Sequence, residues 1–191
     1  VERLLRESEL PLEKSLANFD LKRLPVKAQR QLRTLLEGDF LNRKENVLVF
    51  GNPGSGKSHL LTALAQELIV VRERRMHFSK CSLLMQDLLA AKRDLRLSRE
   101  IKRLGRYDGL IIDDLGYIQQ SRDDMDVVFT LLAERYERGS VLMTSNLAFS
   151  KWEGIFKDAM MTAAAIDRLV HHSVIIELNI PSYRVEEAKK K

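Results

Sequence analysis

Gly51-Asn52-Pro53-Gly54-Ser55-Gly56-Lys57-Ser58 is the stretch of this 191-residue chain whose residue types and spacing point most directly to chemistry. Its glycines let the backbone turn tightly and approach an anion without a Cβ in the way. The order G-x-x-x-x-G-K-S is that of a phosphate-binding P-loop. There the loop N–H groups line a nest, and the helix that follows adds its positive end. Lys57 has the reach for β- and γ-phosphates, and the Ser58 hydroxyl is a ligand for Mg²⁺. A Gly-rich turn before an ordinary helix is the plain alternative. Eight matched positions between an apolar run and a helix-forming run argue against it. On this reading ATP is held by residues Gly51 to Ser58, with His59 next along.

A second candidate lies downstream. Leu110-Ile111-Ile112-Asp113-Asp114 is an apolar run ending in two carboxylates. Beside a P-loop it looks like a Walker B strand, with Asp113 at the strand's C-terminal end as a Mg²⁺ ligand. Asp114 is then placed to polarise a water for attack on the γ-phosphate. Asp-Asp before Leu-Gly is also ordinary turn chemistry. The P-loop upstream decides for the functional reading.

These residues need elements to position them. Asn46–Phe50 reads as a buried strand before the loop, and His59–Ile69, without Gly or Pro, as the helix after it. Arg75–Ser79 reads as a second strand. Residues 26–42 have helical spacing, with Val26, Leu32, Leu35, Leu36 and Phe40 as the buried set and Gly38 as a weak point. Residues 81–104 read as two helices. Leu84, Leu88, Ala91 and Leu95 form an apolar stripe on the first, and a register change puts the break near Ser98. Ser121–Asp124 reads as a capping box opening a helix through Tyr136. Val141–Asn146 is a strand with a polar tip, Trp152, Ile155 and Phe156 anchor a short helix, 158–170 is a helix, and Ser173–Leu178 is the last strand. Residues 1–15 read as a linker or frayed helix end, and 185–191 as a polar tail. The chain begins at Val1, which implies a preceding segment. Strands alternating with helices give an α/β fold with a mainly parallel sheet.

Composition agrees. The chain is 45% hydrophobic and 31% charged, enough for one domain with a real core. No apolar run is long enough to span a bilayer, there is no signal peptide, and the single Cys81 excludes an internal disulfide framework. A cytoplasmic setting without membrane attachment fits. Net charge is +5, but residues 72–106 hold eleven Lys and Arg against four acids, so this segment is +7 and the remainder −2. Lys92, Arg93, Arg96, Arg99, Lys102, Arg103 and Arg106 form its basic face. Such a local excess points to a DNA-binding surface rather than to a merely solvated helix face.

Other constellations carry less. Adjacent His171 and His172 diverge on a helix and have no third ligand at suitable spacing, so a helix C-terminus explains them better than a metal. His77 alternates within a strand and reads as structural. Cys81 has no partner for nucleophilic catalysis and reads as half-buried.

P-loop, Walker B strand, polar-tipped strand and Arg-ended helix, in that order, resemble the AAA+ ATPases. Tyr107-Asp108-Gly109-Leu110-Ile111-Ile112-Asp113-Asp114-Leu115-Gly116-Tyr117, Glu134-Arg135-Tyr136-Glu137-Arg138, Thr144-Ser145-Asn146-Leu147, Asp167-Arg168-Leu169-Val170-His171-His172 and Ser182-Tyr183-Arg184 resemble the IstB family of transposition helpers over about Leu16 to Arg184. The DnaC-type helicase loaders are the next nearest family and the alternative reading. The resemblance implies an AAA+ three-layer sandwich over 16–184 without a helical lid, with Arg184 a substitute for the usual lid arginine. It implies Asn146 as the polar side chain orienting the attacking water, Arg168 as an arginine finger acting on a neighbouring subunit's ATP, and Phe19 on the adenine side. It also implies that the basic helix pair faces duplex DNA, and that the oligomer, with ATP at subunit interfaces, assists a transposase. Asp114, where the wider family has Glu, implies slow turnover. A small-molecule kinase would need an acceptor pocket and a lid-length insertion, which the chain lacks. A DNA-binding module with a vestigial ATP site is disfavoured by intact Lys57, Ser58 and Asp113.

Overall fold

The computed structural model describes residues 1–116 and 121–190. Tyr117 of the quoted motif and Lys191 of the expected tail lie outside the described residues. Five strands form one all-parallel sheet: β1 (Asn46–Gly51), β2 (Met76–Lys80), β3 (Gly109–Leu115), β4 (Ser140–Ser145) and β5 (Ser173–Leu178), in the order β2-β3-β4-β1-β5. The central strands are apolar because both faces are covered. The alternation along β3 shows it: Leu110 and Ile112 join one buried cluster, Ile111 the other.

The first cluster lies under α5 (Cys81–Arg93), α7 (Arg122–Arg135), α8 (Glu153–Phe156) and α9 (Ala159–Val170). The second lies under α1 (Glu2–Ser8), α2 (Val26–Leu36), α3 (Asp39–Asn42) and α4 (Lys57–Arg72). The result is a three-layer α/β sandwich. Crossovers from β1 and β4 leave in opposite directions. That makes a crevice at the carboxyl ends of the strands, where the P-loop, the tip of β3 and the tip of β4 meet.

Several expectations need correction. Residues 1–15 are not simply a linker. Glu2–Ser8 is helical, Leu4 and Leu5 pack on the second cluster, and Ser8 and Leu10 are buried. Residues 26–42 are two helices, because Gly38 takes a left-handed turn between them. Val26, expected in the core, is 63% exposed, since it opens the helix directly after Pro25. The break in 81–104 falls at residues 94–96, before α6 (Leu97–Leu104). Leu95, placed on the apolar stripe from sequence, is the left-handed residue of that turn and 94% exposed. Cys81 is fully buried rather than half-buried. Of the expected polar tail, 185–189 belongs to a helix, α10 (Tyr183–Lys189), capped by Ser182.

Candidate nucleotide-binding site

The loop between β1 and α4 is built for an anion. Gly56 sits at φ +94° as the N-cap of α4, and a Cβ there would meet the Phe19 ring at 3.4 Å. Ser55 Oγ is buried without a hydrogen-bond partner among the described residues, an orphaned donor inside the loop that a phosphate oxygen would satisfy. Lys57 is buried, and its ammonium donates to the Asn52 carbonyl at 2.9 Å. Burial pushes its pKa down, against the opposing pull of Asp114 and Asp113. His59 lies on the flank. Its Nε2 pairs with the Ser15 carbonyl at 2.9 Å, and its ring meets Phe19 edge-on at 4.9 Å. In this structure His59 therefore holds Phe19 against the loop.

Facing the loop, Ser58 Oγ donates to Asp113 Oδ1 at 2.6 Å, and Thr144 Oγ1 donates to the same oxygen at 2.6 Å. Thr144 Oγ1 in turn accepts from the Asp114 N–H at 2.8 Å. Between Ile112 and Leu115 the β3–β4 register slips by one residue, and Asp114 adopts φ +66°. This bulge separates the two carboxylates. Asp113 stays buried beside Ser58, while Asp114 turns outward. Asp114 still reaches solvent, but partial loss of hydration beside the sheet, then the Asp113 charge, pushes its carboxyl up. A serine hydroxyl and a carboxylate side by side are a hard oxygen donor set that suits Mg²⁺.

The profile of the family described as IstB-like ATP binding proteins matches residues 1–191. The chain belongs to that family. An insertion-sequence ATP-binding protein of Sinorhizobium fredii (y4iQ/y4nD/y4sD) is 41% identical over 189 residues, which cover 98% of this chain and 63% of that protein. The IS21 ATP-binding protein of Pseudomonas aeruginosa is 35% identical over 100% of this chain and 71% of its own length. This chain thus spans about two thirds of the relatives it matches. Among solved structures, the DnaC helicase loader superposes with a TM-score of 0.73 at 15% identity, covering 94% of this chain and all of the other. At that identity the likeness is one of fold, that of the AAA+ P-loop proteins.

Within this IstB-like fold, the crevice gathers Lys57, Ser58, Asp113 and Asp114, with Phe19 and His59 on the loop's flank and exposed Asn146 one residue past β4. Arg168 is not there. It lies near the end of α9, where the backbone carbonyls of Arg168 and Leu169 face the Asn46 side chain at the start of β1. Its guanidinium donates to the Ala164 carbonyl and stacks on Phe129. A six-residue strand, about 20 Å, separates that end from the P-loop.

The basic residues are also apart from the crevice. Arg96, Arg99, Lys102, Arg103 and Arg106, with Glu100, line one surface depression of about 560 Å³ along α6. Lys92 and Arg93 lie across the Leu95 turn, at the end of α5. Arg103 pairs with Glu100 and Arg96 with Asp94, whereas Arg99, Lys102 and Arg106 have no ion pair among the described residues.

Thr144, the hub between the two carboxylates, had no role assigned from sequence. Its signal was a polar residue inside an apolar strand, two positions before Asn146. Buried Arg135 was also missed. It donates to the carbonyls of Leu104, Tyr107 and Ser140, fastening the end of α6 to the starts of β3 and β4. Burial pushes its pKa down to about 10. His77 is structural as expected, stacked on Tyr107.

Proposed function

We propose that the chain is a Mg²⁺-dependent ATPase that serves as a DNA-binding assembly switch in transposition. The observation that carries this reading is the 2.6 Å pairing of Ser58 with Asp113 beside the buried Lys57 ammonium. Residues Gly51 to Ser58 hold the phosphates, and Lys57 neutralises the β- and γ-oxygens. Phe19, braced by His59, covers the base side. Ser58 and Asp113 hold Mg²⁺, which when bound neutralises phosphate charge and helps to align the leaving group. Asp114 takes a proton from the attacking water. The water oxygen bonds to the γ-phosphorus as the bond to the β,γ-bridging oxygen breaks, releasing ADP and phosphate. Asn146 orients that water. Arg168 serves the ATP of an adjoining copy, consistent with its distance from its own P-loop.

Coupling follows from such a shared site. ATP between copies assembles a homo-oligomer on duplex DNA along the α6 face, and hydrolysis weakens it. The insertion-sequence names of the relatives support a transposase as the protein partner and the cytoplasm as the setting. No helix among the described residues is long and apolar enough to cross a membrane. Fluorescent-ATP titration tests the core of the reading. Lys57→Ala should lose ATP binding, because the loop loses its one side-chain cation, and equal affinity in parent and variant would overturn the assignment.

A further inference from the structure

Arg23 lies outside the crevice, yet its side chain reaches three groups at the other end of the chain. Its Nη2 donates to the Pro181 carbonyl at 2.9 Å and pairs with the Glu186 carboxylate at 3.0 Å. Its guanidinium lies 4.9 Å above the Tyr183 ring. The backbone that carries it is fixed. Arg23 ends a 3-10 turn capped by the Asp20 side chain, between Phe19, which packs on the second cluster, and buried Leu24.

The segment it grips touches the phosphate loop. The Tyr183 N–H donates to the Gly54 carbonyl at 2.9 Å. Gly54, at φ +78°, has no room for a side chain, since a Cβ there would lie 2.2 Å from Ser182 Oγ. The loop is therefore flanked by Phe19 on one side and Ser182–Tyr183 on the other, and Arg23 joins the two flanks. The next residue, Arg184, follows directly on the Tyr183 N–H that is bonded to the loop.

We propose that Arg23 is a positioning residue for the nucleotide: by latching α10 to the base-side segment it holds Arg184 at the phosphate end of the loop. The inference rests on the ATP-site reading above. It makes Arg23 act through Arg184 and not on the nucleotide itself. Exposed ion pairs and cation–π contacts are individually weak, and three converging on one guanidinium give an effect of about tenfold in affinity. Because Arg184 adds its cation at the phosphate end of the loop, the loss falls on ATP more than on ADP.

The test is titration of ATP and ADP against the parent chain, Arg23→Ala, Arg23→Lys, Arg184→Ala and the Arg23→Ala/Arg184→Ala double variant, with hydrogen exchange followed at residues 183–189. Arg23→Ala should bind ATP about tenfold more weakly while ADP changes less than twofold, and exchange in α10 should rise. Arg23→Lys, which keeps the charge, should recover part of the loss. The double variant should be no weaker than Arg184→Ala alone. Unchanged ATP affinity in Arg23→Ala would overturn the latch, as would equal losses for ATP and ADP or additive losses in the double variant. Failure of the underlying ATP reading looks different, because the parent chain would then bind no nucleotide, or Lys57→Ala would bind it as well as the parent.

Discussion

An ionised Asp114 is unfavourable in the folded chain, because partial loss of hydration and the Asp113 charge both push its carboxyl above the ordinary range. The folded state therefore holds that proton more tightly than the unfolded state. Stability falls as pH rises from the ordinary carboxylate range through the raised value. At neutral pH the charge is a net penalty, which the function requires if Asp114 is to accept a proton. Asp114→Asn should thus melt higher than the parent at pH 7, with the gain shrinking as pH drops through the raised value and vanishing at the unfolded-chain value, while ATP is bound and not hydrolysed. Thermal melts at pH 7 and at pH 4, alongside phosphate release, check this, and a lower melting point at pH 7 would contradict it. The left-handed backbone at Asp114 adds to the same trade, and the Thr144 hydroxyl that accepts its N–H fixes the bend.

At the scale of elements, α5 and α6 are divided by a turn that no glycine or proline announces. The N–H groups of Leu95 and Arg96 close it onto the carbonyls of Lys92 and Ala91, which forces Leu95 to φ +56°. A left-handed leucine costs roughly 1–2 kcal/mol against glycine, and glycine loses part of that advantage to its freer unfolded chain. With the side chain exposed, Leu95→Gly should stabilise the protein by about 0.5–1 kcal/mol in chemical denaturation, and a loss would mean that the side chain is covered. The same turn shows why sequence reading failed there. The period of 3.6 residues ran on through Leu95, and its end was decided by backbone bonds that the pattern does not carry. Eight contiguous residues at 51–58 and the run into Asp113 were legible because their chemistry is local in sequence. The helix α10 was not, since its polar residues have no apolar period and its order depends on Gly54 and Arg23, far away along the chain. Val26 misled for the opposite reason, as it fits the helical stripe but sits in the first turn where the core does not reach.

On the scale of the whole molecule, the sheet holds the nucleotide crevice at one end and the proposed finger at the other. If Arg168 acts on an adjoining copy, neither Arg168→Ala nor Asp114→Asn alone hydrolyses ATP, yet mixing them restores part of the activity, because one mixed interface keeps both groups. An arginine finger is typically worth ~10³–10⁵ in rate, so restoration is readable above either variant. Mixtures no more active than the separate variants would place the finger elsewhere. The basic face answers to a separate measurement. Arg103 is already paired with Glu100 and Arg96 with Asp94, which leaves Arg99, Lys102 and Arg106 as the cations of the α6 depression with no ion pair among the described residues. Such side chains on a phosphate ladder fix position without reading bases, so affinity should be sequence-tolerant and steeply salt-dependent. Removing one phosphate-binding cation lowers the salt slope by about one unit. Arg99→Ala, Lys102→Ala and Arg106→Ala combined should therefore flatten the slope by about three units and remove most duplex affinity. ATP affinity should stay at the parent value, because the P-loop lies beyond the far end of the strands that α6 and Arg135 anchor. Duplex binding across a salt series with ATP and Mg²⁺ present decides it. An unchanged slope in the triple variant would make α6 a solvated surface and move the DNA-binding site to another face.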